Sequence, residues 1–509
     1  MFLLGQDNLN STTLVSLAKS STKNAWGVDE NTWKRLQTTR KVVDKCVTEN
    51  KVVYGINTGF GFLSNVSIEA SKLRSLQINL IKSHAAGVGA LLPVEQARAL
   101  LILKLHNLLL GGSGVSQACI QSLLQLLEKN LIPAIPCQGS VGASGDLAPL
   151  AHMALVMLGE GQVFLNKELL DTEIAFKQLA IKPYEPQAKE GLALINGTQF
   201  IASLAAFALE QAKNIMRSAD AIAALSLDAF RGSLSPFDER LHNLRPHRGQ
   251  KEVAKNFRNI FGSHDEILKS HENCNRVQDP YSFRCIPQVH GASRQGIYHI
   301  ESVINQELNS STDNPAVFDD GDIISGGNFH GQPLALVLDY LAICVAEFGS
   351  ISERRIEKLT NPHFSDLPAF LSKESGVNSG FMIPHVVAAA LVSENKILCH
   401  PASVDSIPTS ADKEDHVSMG PISARKAIKI NEHLSKILAI ELLTACQGLD
   451  LLKPLQPCKP LLALHKATRS FSPELTQDRS LSRDIEKVAG WILNGGIIDL
   501  FSEQKIELI

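Results

Sequence analysis

A surplus of positive charge is missing from this 509-residue chain: 49 lysines and arginines face 52 aspartates and glutamates, a formal net charge of -3. Nucleic-acid backbones are ordinarily met by a basic excess, so nucleic acid is not expected as a partner. Paired cysteines are missing too. The nine cysteines, at 46, 119, 137, 274, 285, 344, 399, 446 and 458, form no CxxC pair and no dense frame. That pattern excludes a disulfide scaffold and reads as reduced thiols in a cytoplasmic protein. The first residues, "MFLLGQDNLNSTTLVSLAKS", carry neither a basic n-region nor an apolar run of signal length, so export is not expected. The apolar stretch "PLALVLDYLAICVAEF" (333–348) is interrupted by Asp339 and Glu347 and falls short of a span, so no membrane partner is expected.

Strand-like alternation is also scarce, confined to pieces near 51–56, 162–165 and 316–324. What is abundant is helical spacing of apolar residues, over 94–110, 115–129, 192–228, 332–358, 384–399 and 421–447. The last tract has proline near its start and Gly448 after its end, which predicts a stop there. The fold class expected is mainly α: an elongated long-helix bundle with a smaller, loop-rich N-terminal globular part and few short strands. A division into 1–200 and 201–509 follows. Polar Gly/Pro/Ser-rich connections fall at 55–65, 111–116, 134–146, 271–293, 309–333 and 401–421. Connections this long in a helical protein are usually functional, so the chemistry is sought there.

One of these loops runs "GSVGASGDLAPLAH" (139–152), with three glycines and two serines before an apolar helix. It has no lysine for a phosphate loop, its glycines run GxxGxxG instead of GxGxxG, and Asp146 breaks the GxSxG of a hydrolase elbow. Two readings remain. In one, Asp146 simply N-caps a helix that opens at Leu147, with Pro149 in its first turn. In the other, the nitrogen of Gly145 closes onto the carbonyl carbon of Ala143, an approach that only a residue without Cβ permits. Loss of that water and of the Ser144 hydroxyl would leave an exocyclic methylidene, an electrophile made from the chain itself.

The same loop closely resembles the signature of the histidine, phenylalanine and tyrosine ammonia-lyases. The resemblance continues through "VVYGINTGFG" (52–61), "LQINLIKSHAAGVG" (76–89), "LALINGTQ" (192–199), "VQDPYSFRCIPQV" (277–289), "NSSTDNPAVF" (309–318), "SGGNFHGQP" (325–333) and "HPASVDSIPTSADKEDHVSMG" (400–420). It implies that Ala143, Ser144 and Gly145 cyclise to 4-methylideneimidazole-5-one (MIO), with no metal and no nucleotide cofactor. It also implies a homotetramer whose active sites combine loops from several subunits.

Elimination of ammonia from an amino acid must remove a weakly acidic β-proton. An acid–base pair supplies about 10²- to 10⁴-fold, whereas enzymes commonly need about 10⁶-fold or more. An added electrophile fills that gap by covalent catalysis. By resemblance Tyr54 is the base for the β-proton on a lid loop, Tyr281 an auxiliary acid/base, and Arg284 the fork for the substrate carboxylate. Asn196 and Gln278 bind the amine, the carboxylate or the ring carbonyl, and Phe329 stacks beside the prosthetic group. Read without the resemblance, these are equally an aromatic loop anchor, a surface ion pair, buried amides and a core phenylalanine.

Substrate choice falls to Ser83-His84 and Glu414. An imidazole offers a donor and an acceptor that a histidine and a carboxylate can meet; a phenyl ring would leave both unpaired, at about 1–3 kcal/mol per buried group. Histidine is therefore the expected substrate and urocanate the product. "ADKED" and "GNFHGQP" depart from the usual Asn-Gln-Glu-Asp and Ala-Glu patterns of histidine enzymes. A tyrosine or phenylalanine ammonia-lyase, a 2,3-aminomutase with the same prosthetic group, and an inactive helical scaffold stand as alternatives.

Overall fold

The computed structural model describes residues 1–20, 25–59, 65–262, 265–272 and 276–509. Phe60 and Gly61 of the lid-loop stretch, and Cys274, lie outside the described residues. The chain is mainly helical, with long helices at Val94–Leu109, Gln199–Ala229, Ile286–Glu307, Gln332–Thr360 and Gly420–Leu451. Its strands are two to four residues long and pair as small ribbons, the largest a three-stranded antiparallel sheet of Ile132–Pro133, Gln162–Leu165 and Glu168–Asp171.

The chain divides into two compact units: one of residues 1–207, 301–339 and 401–425, the other of 208–300, 340–400 and 426–509. In the first, Val94–Leu109 is buried without a break from Ala99 to Leu109, Lys104, His106 and Asn107 included. A helix buried on every face is a core helix, and this one is covered by Ser11–Lys19 and Gln117–Glu128. In the second unit, the fully buried Arg355 places its guanidinium on Glu441, whose Oε1 also accepts from the Ser226 hydroxyl at 2.7 Å. The pair fixes one register between the helices that carry it, since neither charge is stable there alone.

The helix Gln332–Thr360 is long and apolar enough to cross a membrane, but two-thirds of its most apolar window is buried inside the protein. Asp339 within it accepts a hydrogen bond from the Ser403 backbone at 2.8 Å.

Several expectations are corrected. Residues 51–56 form no strand; the chain turns there, with the Ile56 N–H on the Val53 carbonyl at 3.2 Å. The tract 192–228 is two helices, Glu190–Ile195 and Gln199–Ala229, broken at Asn196-Gly197, where Gly197 sits at φ +109°. Gly448 is not a stop: the helix runs on to Leu451, and a Cβ at 448 would stand 3.2 Å from that of Ala229. The connection 271–293 ends early, because a helix starts at Ile286.

Candidate active site

The loop 139–146 is clamped from both sides within the first unit. On one side Gly145 and Gly197 form a backbone bridge: Asp146 N–H donates to the Gly197 carbonyl at 2.8 Å, and Gly197 N–H to the Ser144 carbonyl at 3.4 Å. Gly145 has φ +73°, and a Cβ there would stand 2.1 Å from the Gly197 oxygen. On the other side, Gly142 has φ +68° and a Cβ there would stand 2.3 Å from Ser418 Oγ, which donates to the Gly142 carbonyl at 3.1 Å. Met419 N–H reaches the Val141 carbonyl at 2.9 Å. Both glycines are thus required by contact as well as by dihedral.

Asp146 departs from its expected role. It occupies the N-cap position of Leu147–Met157 but makes no side-chain bond to that helix. Its Oδ2 instead accepts from Ile201 N–H at 2.9 Å, in the first turn of Gln199–Ala229. A carboxylate can meet an orphan N–H of any helix start it reaches; here the start it reaches is the one that follows Gly197. Burial pushes the Asp146 carboxyl up to about 8, against the pull of the Ile201 and Phe200 amides and of Lys104.

Ala143 and Ser144 open onto a cavity of about 1010 Å³ that also takes Tyr54, His84, Asn196, Phe329 and Glu414 into its wall. Glu414 is the wall residue that touches the serine: Ser144 Oγ donates to Glu414 Oε1 at 2.9 Å. The other carboxylate oxygen accepts the hydroxyls of Thr409 and Ser410, each at 2.8 Å. His84 closes the helix Leu73–His84, and its Nδ1 lies 2.8 Å from the Leu80 carbonyl. A carbonyl only accepts, so Nδ1 carries the proton, and in the neutral ring Nε2 is the acceptor.

Asn196 is 2% exposed. Its Nδ2 donates to Asp313 Oδ1 at 3.1 Å and to the Asn314 carbonyl at 3.3 Å. Its Oδ1 is buried and has no protein partner among the described residues. Behind it is a charge cluster that the sequence reading missed. Lys104 Nζ donates to the Asn196 backbone carbonyl at 2.6 Å, and Lys189 pairs with Asp313 at 2.6 Å, all four residues buried. Burial pushes the Lys104 ammonium down to about 8, Asp313 pulling the other way. Burial alone would raise the Asp313 carboxyl, but Lys189 and Lys104 outweigh it and hold it below its ordinary range. A lone lysine in "ALLILKLHNLL" was the available signal, because a charge with no polar face to sit on must be paired inside. Asn314, His330, Lys413 and His416 also line the cavity and were not singled out.

Gln278, Tyr281 and Arg284 are not in that wall. Gln278 and Arg284 line another cavity, of about 830 Å³, within the second unit. Tyr281 is 70% exposed, with the Arg284 guanidinium 4.5 Å from its ring centroid. Arg284 Nε finds no partner among the described residues. No group of three or more His, Cys, Asp or Glu side chains placed to hold a metal occurs among the described residues.

The chain matches the aromatic amino acid lyase model over residues 9–470 and belongs to that family. Within it, the chain is 52% identical over 458 residues to a histidine ammonia-lyase of Sorangium cellulosum, a match covering 89% of each chain. The solved histidine ammonia-lyase of Trypanosoma cruzi superposes with a TM-score of 0.91 at 45% identity, covering 99% of this chain and 95% of that one. The tyrosine aminomutase of Streptomyces globisporus has the same fold, with a TM-score of 0.92 at 35% identity and coverage of 100% and 99%.

Proposed function

We propose that this lyase eliminates ammonia from L-histidine to give urocanate, the opening step of histidine degradation. The observation that carries the reading is the 2.9 Å contact between Ser144 and Glu414 in a wall shared with His84. It puts a carboxylate against the serine that would become the electrophile, in a wall that also carries an imidazole acceptor. Such acceptors suit a substrate ring that carries an N–H, which a phenyl ring lacks. The level of identity to histidine enzymes, 46–52% for the Sorangium cellulosum and Myxococcus xanthus relatives, supports the same choice.

The residues present fit a MIO group built from Ala143, Ser144 and Gly145: the space a Cβ of Gly145 would fill is taken by the Gly197 backbone, and the glycine holds φ +73°, a turn that a residue without Cβ makes freely. When formed, the group supplies an electron-poor methylidene that takes up the substrate's amine or ring. Tyr54 is the base we assign to the β-proton. His84 and Glu414 hold the imidazole, and Asn196 presents its unpaired Oδ1 to a donor such as the substrate's ammonium. Phe329 packs an aromatic face against the prosthetic group. We assign Tyr281, Gln278 and Arg284 to the same reaction, delivered from a second copy in a homotetramer, with Arg284 forking onto the carboxylate. The protein works in the cytoplasm, where its thiols stay reduced; eight described cysteines are free.

The test is incubation with L-histidine, L-tyrosine and L-phenylalanine in turn. Urocanate, followed by its absorbance, is the expected product. Release of coumarate or cinnamate at the higher rate, or of a β-amino acid, would instead give the protein the activity of the aryl lyases or aminomutases. No product from any of the three would leave a scaffold.

A further inference from the structure

Resting on the reading that residues 143–145 cyclise, we propose that Glu414 also catalyses the maturation of the chain, by removing the Ser144 hydroxyl as water. Two waters must leave the tripeptide. In the first loss, Gly145 N bonds to the Ala143 carbonyl carbon, and that carbon's oxygen departs with the protons of the Gly145 and Ser144 nitrogens. In the second, Ser144 loses its Cα proton and its Cβ–Oγ bond breaks as the Cα–Cβ double bond forms. Neither loss changes the oxidation level overall, so no oxidant or reductant is needed.

The clamp at Gly142 and Gly145 serves the first loss, and it involves no titratable side chain. The second loss needs two things that backbone cannot supply: a base for the Cα proton and an acid for the departing hydroxide, which leaves poorly without a proton. One carboxylate can be both in turn, taking the proton from Cα and handing it to Oγ as water forms. Glu414 is placed to do this. Its Oε1 is already 2.9 Å from Ser144 Oγ in the chain whose serine is intact. Cα is bonded to the carbon that carries Oγ, so the proton to be taken lies next to the group that leaves.

Its own support is dedicated. Thr409 and Ser410 hold the second oxygen, and the Thr409 and Glu414 backbones exchange hydrogen bonds of 3.0 and 3.3 Å across a turn in which Ser410, Ala411 and Asp412 all take positive φ. Three residues with side chains in that conformation are held against their preference, which marks a turn shaped around what it carries. Asp146, which follows the triplet in sequence, turns one carboxylate oxygen to the Ile201 amide and is not in the cavity wall.

The experiment follows intact mass, under denaturing conditions, at intervals after cell-free synthesis of the wild type, Glu414→Ala, Glu414→Gln and a Thr409→Ala/Ser410→Ala double variant. The wild type should become lighter by two waters. Glu414→Ala should accumulate a species lighter by one, with the Ser144 hydroxyl retained in the peptide map and the second loss slowed at least about 10²-fold. The glutamine variant keeps the shape of the loop and should stall in the same way even where the alanine chain folds badly. The double variant, with its carboxylate unaimed, should slow several-fold. Loss of both waters at the wild-type rate in the glutamine variant overturns the proposal, as does a stall before the first loss. A wild type that never becomes lighter overturns the cyclised reading itself, which is a separate result.

Discussion

Gly145 and Gly197 lie backbone against backbone, so close that a Cβ on the first would stand 2.1 Å from the carbonyl oxygen of the second. That contact joins the reactive loop to the break between two helices and leaves no room for a side chain at position 145, while Gln199 and Thr312 crowd the space beside Gly197. Gly145→Ala should therefore abolish cyclisation, because the methyl must displace the Gly197 strand before the nitrogen can close. Intact mass should show no water lost, and histidine turnover should fall by at least about 10³-fold. A variant that cyclises normally would remove the clamp from the account.

Ser144→Ala keeps the clamp and deletes the leaving hydroxyl. The methyl occupies space the serine already filled, so the circular dichroism spectrum and the oligomeric state should match the wild type. Turnover should fall by at least about 10³-fold, since acid–base groups alone do not reach enzymatic rates. Retained activity would show that Ser144 makes no electrophile.

Glu414→Gln should lower kcat/KM for histidine by about 10- to 100-fold, the value of a hydrogen bond to a charged group. The rate must be divided by the fraction of chains lighter by two waters, which separates ring recognition from maturation. Thermal stability should move by less than about 1 kcal/mol, as expected for a half-buried loop residue. Unaltered kinetics in the mature fraction would take Glu414 out of the substrate site.

Asp146→Asn tests the buried carboxyl through pH. Burial raises the Asp146 group from 3.8 to about 8, so the folded chain keeps a proton that the unfolded chain releases. The stability this gives is complete below the unfolded value and is lost as pH rises toward about 8. Between those limits the wild type should lose apparent melting temperature relative to Asp146→Asn, whose amide oxygen can still accept from Ile201. Parallel curves for the two proteins would show that Asp146 titrates normally.

Lys104→Met removes the ammonium that holds the Asn196 carbonyl and shares the charge of Asp313. Leaving the buried Asn196 carbonyl without its donor costs about 1–3 kcal/mol, read as a lowered denaturation midpoint. A change within error would mean that Lys189 alone balances Asp313.

The helices were legible where helically spaced apolar residues outweighed the few charges among them, as at Val94–Leu109 and Gln332–Thr360. Legibility failed where two elements settled the outcome together. Gly448 reads as a stop in isolation, but an approaching Ala229 makes it an interior residue, and Asp146 reads as a cap of the helix it precedes while it caps another one. The same holds at the site. Tyr54, His84, Ser144, Asn196, Phe329 and Glu414 were reached through motif resemblance and fall on one cavity, whereas Lys104 and Lys189 acquire their roles only by reaching Asn196 and Asp313, far away in sequence. Gln278 and Arg284 share a motif with Tyr281 and line a cavity of their own.

The whole account depends on the main chain at 143–145 having become a ring. Intact mass and a peptide map of freshly purified, active protein test this most directly. The account predicts a chain lighter by two waters, with the entire deficit in the peptide that carries Ala143, Ser144 and Gly145. A full-mass tripeptide in protein that releases ammonia from histidine would contradict it.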